Sequence, residues 1–205
     1  MDVKSQAYVA EAVKKYDFQE PVLEVAAGWE PNYYQPYFKG KKYIKQDLRD
    51  WDPPCIDIVC NAKDMSEQVA DGSVNTVLCL NTLEHVDEPH KVVDEIYRVL
   101  AVGGHVIVTV PTRCPIHRAP KDYWRFMPDG IFFLFRHFQV LDMMVGRSLT
   151  YPSCIDIVAR KPEADWRPPE DFPYDVIRMK RENGPLINAI DAFLERWNLQ
   201  FIKIR

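Results

Sequence analysis

The sequence predicts an α/β fold: a doubly wound, mostly parallel sheet of seven (or six) strands with an antiparallel edge strand. Three observations support this class. Short apolar runs of strand length alternate with helical or irregular segments along residues 21–110. Residues 76–111 contain a strand, a helix and a second strand in direct succession. Two more strand-like runs, residues 138–145 and 154–160, have no helix between them, which is typical of an antiparallel pair.

The first part of the chain is predicted to form one helix and three strands. Residues 3–16 have apolar positions at roughly helical spacing and precede the sheet. Strands are predicted at residues 21–26, 43–47 and 56–60. Only about eight residues link the second strand to the third, and they include a Pro-Pro pair that excludes a regular helix. Because parallel strands usually need a longer crossover, either a tight irregular arch joins these two or the third strand is misplaced.

The central strand–helix–strand unit is the clearest part of the pattern. Its strands are predicted at residues 77–80 and 106–110. Asp87 or Glu88 is the expected N-cap of the helix, with a proline in the first turn, and Gly103-Gly104 is expected to end it. The apolar face of the helix is predicted to contain Val92, Val93, Ile96, Val99 and Leu100.

The second half of the chain contains a long connection, one helix, the strand pair and a tail. Residues 112–127 are polar and aromatic and too numerous for a simple turn. A helix is predicted at residues 128–137. We expect an α/β domain at residues 1–161, then a proline-rich strap and a last helix within residues 162–205. The sequence leaves open whether that helix packs on its own domain, covers the cleft or forms a homodimer. Its apolar stripe is Leu186, Ile190, Phe193, Leu194 and Trp197.

Composition argues against several kinds of partner and location. A net charge of -4 and a pI near 5.8 give no reason to expect nucleic acid. No apolar run approaches the ~18 residues of a membrane span, and the first residues lack a leader pattern. We therefore expect no membrane partner and a cytoplasmic location. The cysteines are odd in number and contain no C-x-x-C pair, which indicates neither disulfides nor zinc: Cys55, Cys60, Cys79, Cys114 and Cys154.

Four short motifs follow one another along the predicted sheet. Residues 22–28 read VLEVAAG, Asp47 ends the second strand, residues 83–86 read LEHV, and residues 98–104 read RVLAVGG. In this order and spacing they resemble the class I S-adenosylmethionine-dependent methyltransferases, and most closely the small type 11 branch. The resemblance extends over about residues 20–160. It implies a Rossmann-like fold, S-adenosyl-L-methionine as the cofactor, and methyl transfer to a small polar acceptor.

The resemblance also implies a cofactor site at the carboxyl ends of the first four strands. In an open α/β sheet, ligands bind there at the point where the strand order reverses. Gly28 has no side chain to block the backbone from approaching the cofactor. The Asp47 carboxylate can accept both ribose hydroxyls. The full predicted site is Glu24, Ala26, Gly28, Asp47, Asn61, Ala62, Leu80 and Asn81.

The other members of this predicted site have their own roles under the resemblance. Asn61 and the backbone N–H of Ala62 would bind the adenine ring. Leu80 and Asn81 would lie beneath the methionine part of the cofactor. Glu24 would order the turn or a water near the cofactor ammonium group.

The glycine loop departs from the family pattern. The usual Gly-x-Gly-x-Gly appears here at residues 26–30 with only its middle glycine, Gly28, retained. We expect Ala26 to have a negative φ, since alanine can replace a glycine in that conformation. The altered loop leaves a second function open, a non-catalytic methyltransferase-like protein that binds or regulates. A nicotinamide-dependent dehydrogenase is disfavoured because no G-x-G-x-x-G follows the first strand.

The segment HRAPKDYWRF, residues 117–126, has the most unusual composition in the chain. It follows the fifth strand and is therefore expected on the cleft side of the sheet. Its cations and aromatic rings suit a polar acceptor such as a sugar, a polysaccharide precursor or another metabolite. Alternatively, an Asp122–Arg125 pair only orders the loop. The predicted substrate-binding residues are Tyr123, Trp124 and Arg125.

Two histidines are candidates for proton transfer. A hydroxyl acceptor must lose a proton, and imidazole titrates near neutral pH. His117 is the first candidate for the general base and His85 the second, although His85 can instead brace the following loop. No metal site is predicted, because the spacing of His85, His90 and Asp87 fits no common ligand pattern.

Overall fold

The structure is a computed structural model that describes residues 3–29, 33–117, 120–146, 152–169 and 177–180. In this part of the chain, no helix is both long enough and apolar enough to cross a membrane. The helices are α1 (Val3–Lys15), α2 (Pro89–Val99) and α3 (Pro128–Leu134), with 3₁₀ turns at Gln35–Phe38 and Leu83–His85. The strands are β1 (Val22–Val25), β2 (Tyr43–Asp47), β3 (Ile58–Val59), β4 (Val74–Leu80), β5 (Leu100–Pro111), β6 (Gln139–Gly146), β7 (Cys154–Arg160) and β8 (Ile177–Lys180).

The strands form one mixed sheet in the order β3-β2-β1-β4-β5-β7-β6-β8. Pairings among the first five strands are all parallel, and β7 is antiparallel to both of its neighbours. This confirms the doubly wound α/β class. The strand order reverses between β1 and β4, where Val25 lies beside Cys79. A ligand crevice is expected at this position, beyond the carboxyl ends of the two strands.

Apolar side chains cover both faces of the sheet, and a helix layer packs on each. On one face, α2 inserts a stripe of fully or almost fully buried side chains against the central strands, as its spacing predicted: Val92, Val93, Ile96 and Val99. On the other face, α1 contributes Tyr8, Val9 and Ala12 to a second cluster. Burial of one large apolar side chain contributes roughly 1.5–3 kcal/mol, so these stripes fix both helices to the sheet.

A tight arch joins β2 to β3, which resolves the alternative left open by the sequence. Its centre is the Asp50 carboxylate, whose Oδ1 accepts the backbone N–H groups of Trp51, Cys55 and Ile56. These bonds replace the helix that a parallel connection normally contains. The third strand has only two residues, Ile58–Val59, and is therefore shorter than the predicted run.

Both ends of α2 differ in detail from the prediction. Glu88 occupies the N-cap position, but its side chain makes no capping hydrogen bond. The Asp87 carboxylate binds Lys63 instead. The helix ends at Val99, and Gly103-Gly104 lies within β5. Leu100 already has extended ψ, so the chain enters the sheet directly. A Cβ at Gly104 would lie 2.9 Å from a backbone oxygen, which explains the glycine there.

The C-terminal part adds one strand that the sequence did not predict. The helix α3 begins at Pro128 as predicted but ends at Leu134. Beyond β7, strand β8 pairs in parallel with β6, so the sheet has eight strands and β6 is not its edge. Arg178 of β8 binds the buried Asp142 and also Glu11 of α1. The predicted last helix lies outside the described residues.

Candidate active site

The turn after β1 has a backbone conformation that few residue types adopt easily. Ala26 has a φ of 54° and Gly28 a φ of 72°, so both are left-handed. The expected negative φ of Ala26 is therefore wrong. The backbone must bend here while the turn stays attached to β2, since the Ala26 and Ala27 N–H groups donate to the side-chain and backbone oxygens of Gln46. A left-handed alanine costs roughly 1–2 kcal/mol, which these contacts offset.

Asp47 ends β2 and connects it to the same turn. Its carboxylate is nearly buried, with 9% of the residue exposed. Oδ2 accepts the Gly28 N–H at 2.8 Å, and Oδ1 accepts the Leu48 N–H at 2.6 Å. A carboxylate offers about four acceptor positions, so Asp47 can order the turn and still accept hydrogen bonds from a ligand. Its two sequence interpretations, turn residue and ribose acceptor, are therefore compatible.

Glu24 is a buried acid in β1, one strand position before the turn. Its Oε2 accepts a hydrogen bond from the Tyr43 hydroxyl at 2.7 Å. Burial raises the pKa of the Glu24 carboxyl to about 7, and the Tyr43 hydrogen bond only partly opposes this. A carboxyl group that titrates near neutral pH can ionise in response to a nearby cationic ligand group.

The chain that leaves β4 lies opposite the β1 turn. Asn81 is also left-handed, with a φ of 51°, and its amide nitrogen donates to the Ser5 hydroxyl of α1 at 3.2 Å. The next residue, Thr82, is buried, and its hydroxyl donates to the carbonyl oxygens of Leu80 and Val25 at 3.3 and 3.5 Å. Thr82 thereby joins the loops after β1 and β4 across the point where the strand order reverses.

Asn61 and Ala62 lie just beyond β3, beside the end of β2. The Asn61 side-chain oxygen accepts the Lys63 N–H at 3.0 Å and so forms a tight turn. Backbone contacts hold this turn against β2, because the Cys60 N–H donates to the Asp47 carbonyl at 2.9 Å. The predicted adenine-binding residues are therefore close along the sheet edge to the predicted ribose acceptor.

Two imidazoles and a buried carboxylate form a second cluster, just after Thr82. His85 Nε2 and His117 Nε2 are 3.2 Å apart, although 32 positions separate the two residues. Glu84 is 1% exposed, and its Oε1 lies 3.8 Å from His85 Nε2. Burial raises the pKa of the Glu84 carboxyl to about 7 and lowers the pKa of His85. The structure thus brings together both predicted catalytic histidines.

Backbone contacts dock the segment after β5 onto this cluster. The N–H of Tyr123 donates to the Glu84 carbonyl at 2.8 Å, and the Trp124 indole donates to the Val86 carbonyl at 2.8 Å. The Asp122 carboxylate accepts the His117 N–H at 3.0 Å and pairs with Arg125 at 2.7 Å. Hydrogen bonds from Arg125 hold the pKa of the Asp122 carboxyl well below its usual range.

The predicted substrate-binding residues differ in what they can offer a ligand. Tyr123 and Trp124 are 44% and 43% exposed, so their rings are accessible beside the imidazole pair. The Arg125 guanidinium binds Asp122 and also approaches the Cys114 and Pro115 carbonyls at 3.4 and 3.3 Å. These contacts favour the loop-ordering interpretation of Arg125.

Comparison with known families identifies the domain that contains this crevice. The family model described as a methyltransferase domain, of type 11, matches residues 7–108. The protein belongs to the class I S-adenosylmethionine-dependent methyltransferases. The matched residues extend from α1 into β5 and include every predicted cofactor residue. His117 and the segment after β5 lie beyond them. No curated protein sequence matches the chain.

Solved structures share the methyltransferase fold at low sequence identity. A candidate methyltransferase from Bacillus halodurans C-125 is 16% identical with a TM-score of 0.63, over 78% of this chain and all of that one. The 1,6-didemethyltoxoflavin-N1-methyltransferase of Burkholderia thailandensis, solved with S-adenosylhomocysteine, is 17% identical with a TM-score of 0.58, over 78% of each chain. The cyclase SpnF is 15% identical with a TM-score of 0.59, over 78% of this chain and 80% of that one.

Two residues of this methyltransferase site were not identified from sequence. Gln46 binds both the Ala26 N–H and, through its side-chain nitrogen, the Cys60 carbonyl at 2.7 Å. Thr82 joins the loops after β1 and β4. Gln46 is a polar residue in a predicted strand, and this pattern could have indicated a structural contact. The sequence contains no comparable signal for Thr82, because its partner is a backbone oxygen 57 positions away.

Proposed function

We propose that this methyltransferase transfers the methyl group of S-adenosylmethionine to a hydroxyl group of a small polar acceptor, such as a sugar, a polysaccharide precursor or another metabolite. One observation carries the proposal. The short 3₁₀ turn Leu83–His85 connects the crevice between β1 and β4 directly to the imidazole pair. Groups that can bind a methyl donor and groups that can activate an acceptor are therefore adjacent.

The residues around the β1 turn fit the proposed cofactor. A Cβ added to Gly28 would meet no described atom within 4 Å, so there is room beside this backbone. Asp47 offers carboxylate acceptors for hydroxyl groups, and Glu24 is a nearby acid that can balance a cationic group. Asn61, Ala62, Leu80 and Asn81 complete the proposed cofactor residues along the same edge.

When it is bound, the cofactor supplies an electrophilic methyl group. The acceptor oxygen forms the new bond to this methyl carbon, and the electron pair of the broken carbon–sulfur bond stays on the sulfur. The chain must hold the acceptor in line and exclude water. Trp124 and Tyr123 offer ring faces for the acceptor, and Arg125 keeps their loop in place. The exposed His117 accepts the hydroxyl proton at Nε2, with His85 as the second candidate.

A second candidate function is a non-catalytic protein that uses the fold for binding or regulation. The left-handed Ala26 favours it, because strain in the loop can weaken cofactor binding. The Gly28–Asp47 hydrogen bond argues against it, since it holds the loop in an ordered conformation. Calorimetry with S-adenosylmethionine separates the two, and no binding at millimolar cofactor would exclude the enzyme.

Transfer of a tritium-labelled methyl group tests the proposal directly. The full chain is incubated with labelled S-adenosylmethionine and a panel of free sugars, nucleotide sugars and hydroxy acids. We expect label in at least one hydroxylated acceptor, and little transfer after His117→Ala. Transfer only to amine or carbon acceptors would contradict the hydroxyl assignment while leaving the methyltransferase activity intact.

Two further expectations from the sequence stay predictions. The C-terminal helix packs on its own domain, covers the cleft or forms a homodimer, and light scattering at several concentrations tests the homodimer. We also expect a cytoplasmic location with no nucleic-acid or membrane partner, and cell fractionation would test this.

A further inference from the structure

The two imidazoles present their Nε2 atoms to each other while their Nδ1 atoms face hydrogen-bond acceptors. His85 Nδ1 lies 2.7 Å from the Lys121 carbonyl. His117 Nδ1 lies 3.3 Å from the Pro115 carbonyl, 3.5 Å from the Asp122 carboxylate and 3.6 Å from the Cys114 thiol, whose S–H donates to the Pro115 carbonyl instead. Carbonyl and carboxylate oxygens accept, so we assign the proton of each neutral ring to Nδ1. In the neutral rings, both Nε2 atoms are then unprotonated, and their lone pairs meet at 3.2 Å.

Glu84 adds a third electron-rich group to the same place. Glu84 is 1% exposed, and its Oε2 has no hydrogen-bond partner in the described part of the chain. Its Oε1 lies 3.8 Å from His85 Nε2. A buried carboxylate oxygen without a partner is costly, and two facing lone pairs repel, so a positive charge at the centre of this cluster would stabilise it.

We propose that Glu84, His85 and His117 bind one divalent transition-metal ion of the zinc class. Their ligand atoms all lie within 4.8 Å of one another. Two nitrogens bound to one ion at about 2.1 Å with tetrahedral geometry are about 3.4 Å apart. The observed 3.2 Å between the Nε2 atoms matches this separation. Two histidines and one glutamate form a ligand set that leaves coordination positions open.

The contacts of the Nδ1 atoms support the metal site. Metal-bound histidines almost always donate the other ring N–H to a carbonyl or carboxylate, which fixes the ring and increases its basicity. Lys121 provides that acceptor for His85, and Pro115 and Asp122 provide it for His117. The His117 side chain is 45% exposed, so an ion can enter the cluster from solvent.

A shared proton is the competing explanation of the imidazole contact. One Nε2–H between the rings would remove the lone-pair repulsion, but it would leave Glu84 Oε2 without a partner. An ion between the two Nε2 atoms would also attract the Glu84 carboxylate, whose Oε1 lies 3.8 Å from His85 Nε2. Asp87, which the sequence placed near His85, stays outside the cluster, because its carboxylate binds Lys63 at 2.8 Å. Only folding brings His117 to the adjacent pair Glu84-His85.

The ion changes how the acceptor is activated, and this use rests on the proposed function. A hydroxyl that coordinates the ion loses its proton to solvent at a lower pH than a free hydroxyl. The two imidazoles then act as ligands, and His117 is not required as the base. Metal binding itself does not depend on the identity of the acceptor.

Metal titration of the full chain tests the site. The protein is stripped with a chelator, then titrated with Co²⁺ by visible absorption and with Zn²⁺ by calorimetry. We expect one ion per chain and the visible absorption bands that are typical of a Co²⁺ ion with a low coordination number. His85→Ala and His117→Ala should weaken binding at least about 100-fold, more than loss of a group that only orients a ligand. His90→Ala, an exposed histidine nearby, should bind like the wild type.

Additional measurements keep the outcome clear. Glu84→Gln preserves the shape of the side chain and should also weaken binding, and thermal unfolding confirms that each variant is folded. Absence of stoichiometric binding at micromolar metal would overturn the proposal, as would equal binding by His117→Ala and wild type. S-adenosylmethionine affinity is measured on the same samples. Cofactor binding without metal binding would reject the metal site alone and leave the proposed function standing.

Discussion

Gly28 donates its backbone N–H to the Asp47 carboxylate at 2.8 Å, and this bond couples the turn after β1 to the end of β2. The same carboxylate accepts the Leu48 N–H. Asp47 therefore holds the loop from the end of β2, next to the proposed cofactor crevice. A substitution here should affect cofactor binding through both the loop and the lost acceptor.

The first prediction concerns cofactor affinity. Asp47→Ala removes the partner of the Gly28 N–H and an acceptor for the ribose hydroxyls. Loss of hydrogen bonds to a charged group costs about 1.5–3 kcal/mol, so the Kd for S-adenosylmethionine should rise by roughly 10- to 100-fold. Calorimetry measures it. Asp94→Ala, on the exposed face of α2, serves as the control and should leave the Kd unchanged.

The second prediction concerns the left-handed alanine. Ala26→Gly removes the steric cost of a φ of 54°. The relief of this steric cost is larger than the destabilisation caused by the greater conformational entropy of glycine in the unfolded chain. The free energy of unfolding should therefore rise by about 0.5–1 kcal/mol. Urea unfolding measures the change. Ala27→Gly is the matched control: Ala27 is buried without a positive φ and should lose stability, and a gain there would contradict the explanation.

The third prediction is a pH dependence of stability. The pKa of Glu24 is about 7 in the folded protein against 4.5 in the unfolded chain. The stability that neutral Glu24 contributes is complete below pH 4.5 and is lost as the pH rises to about 7. The difference in free energy of unfolding between Glu24→Gln and the wild type should therefore be about 2–3 kcal/mol more favourable to the variant at pH 8 than at pH 4.5. Glu67→Gln, at an exposed position, should show no such gain, and equal curves for Glu24→Gln and wild type would contradict the shift.

The fourth prediction separates acceptor binding from cofactor binding. Trp124→Ala removes a ring that is 43% exposed beside the imidazole pair. The KM for the acceptor found in the transfer assay should rise roughly tenfold, since an aromatic contact contributes about 0.5–1.5 kcal/mol beyond its buried area. The Kd for the cofactor should not change. Phe133→Ala, an exposed ring on α3, provides the comparison.

The fifth prediction concerns the strand that extends the sheet. Among the described residues, Arg178→Ala leaves the buried Asp142 with only Tyr8 and a longer Lys15 contact of 3.5 Å. Removal of one partner of a buried pair is strongly destabilising; because Arg178 is partly exposed, we expect a loss of about 2 kcal/mol. Thermal unfolding measures it. Arg167→Ala tests for a general charge effect, and the double variant Arg178→Ala/Asp142→Asn should recover part of the loss.

Local patterns predicted most of the fold, because apolar spacing reports directly on burial. The stripe of α2 and the strand runs on either side of it were located from sequence and confirmed. The failures depend on contacts that spacing does not encode. Asp50 stabilises the β2–β3 arch through three backbone groups. Strand β8 follows a proline-rich stretch and is fixed by Arg178 binding to Asp142, 36 positions earlier.

The candidate site was predictable only in part. The sequence identified His85 and His117 separately, but not their contact, because docking of Tyr123 and Trp124 onto Glu84 brings them together. Their spacing therefore gave no metal pattern. The φ of Ala26 was mispredicted for a related reason: the backbone follows its hydrogen bonds to Gln46, not the preference of alanine.

A crystal structure of the full chain with S-adenosylhomocysteine tests the central claim most directly. The account predicts the ribose hydroxyls on the Asp47 carboxylate, the amino-acid part beside residues 26–28, and the sulfur directed toward the cluster of Glu84, His85 and His117. Occupancy of any other crevice, or a bound molecule that makes no contact with Asp47, would contradict it.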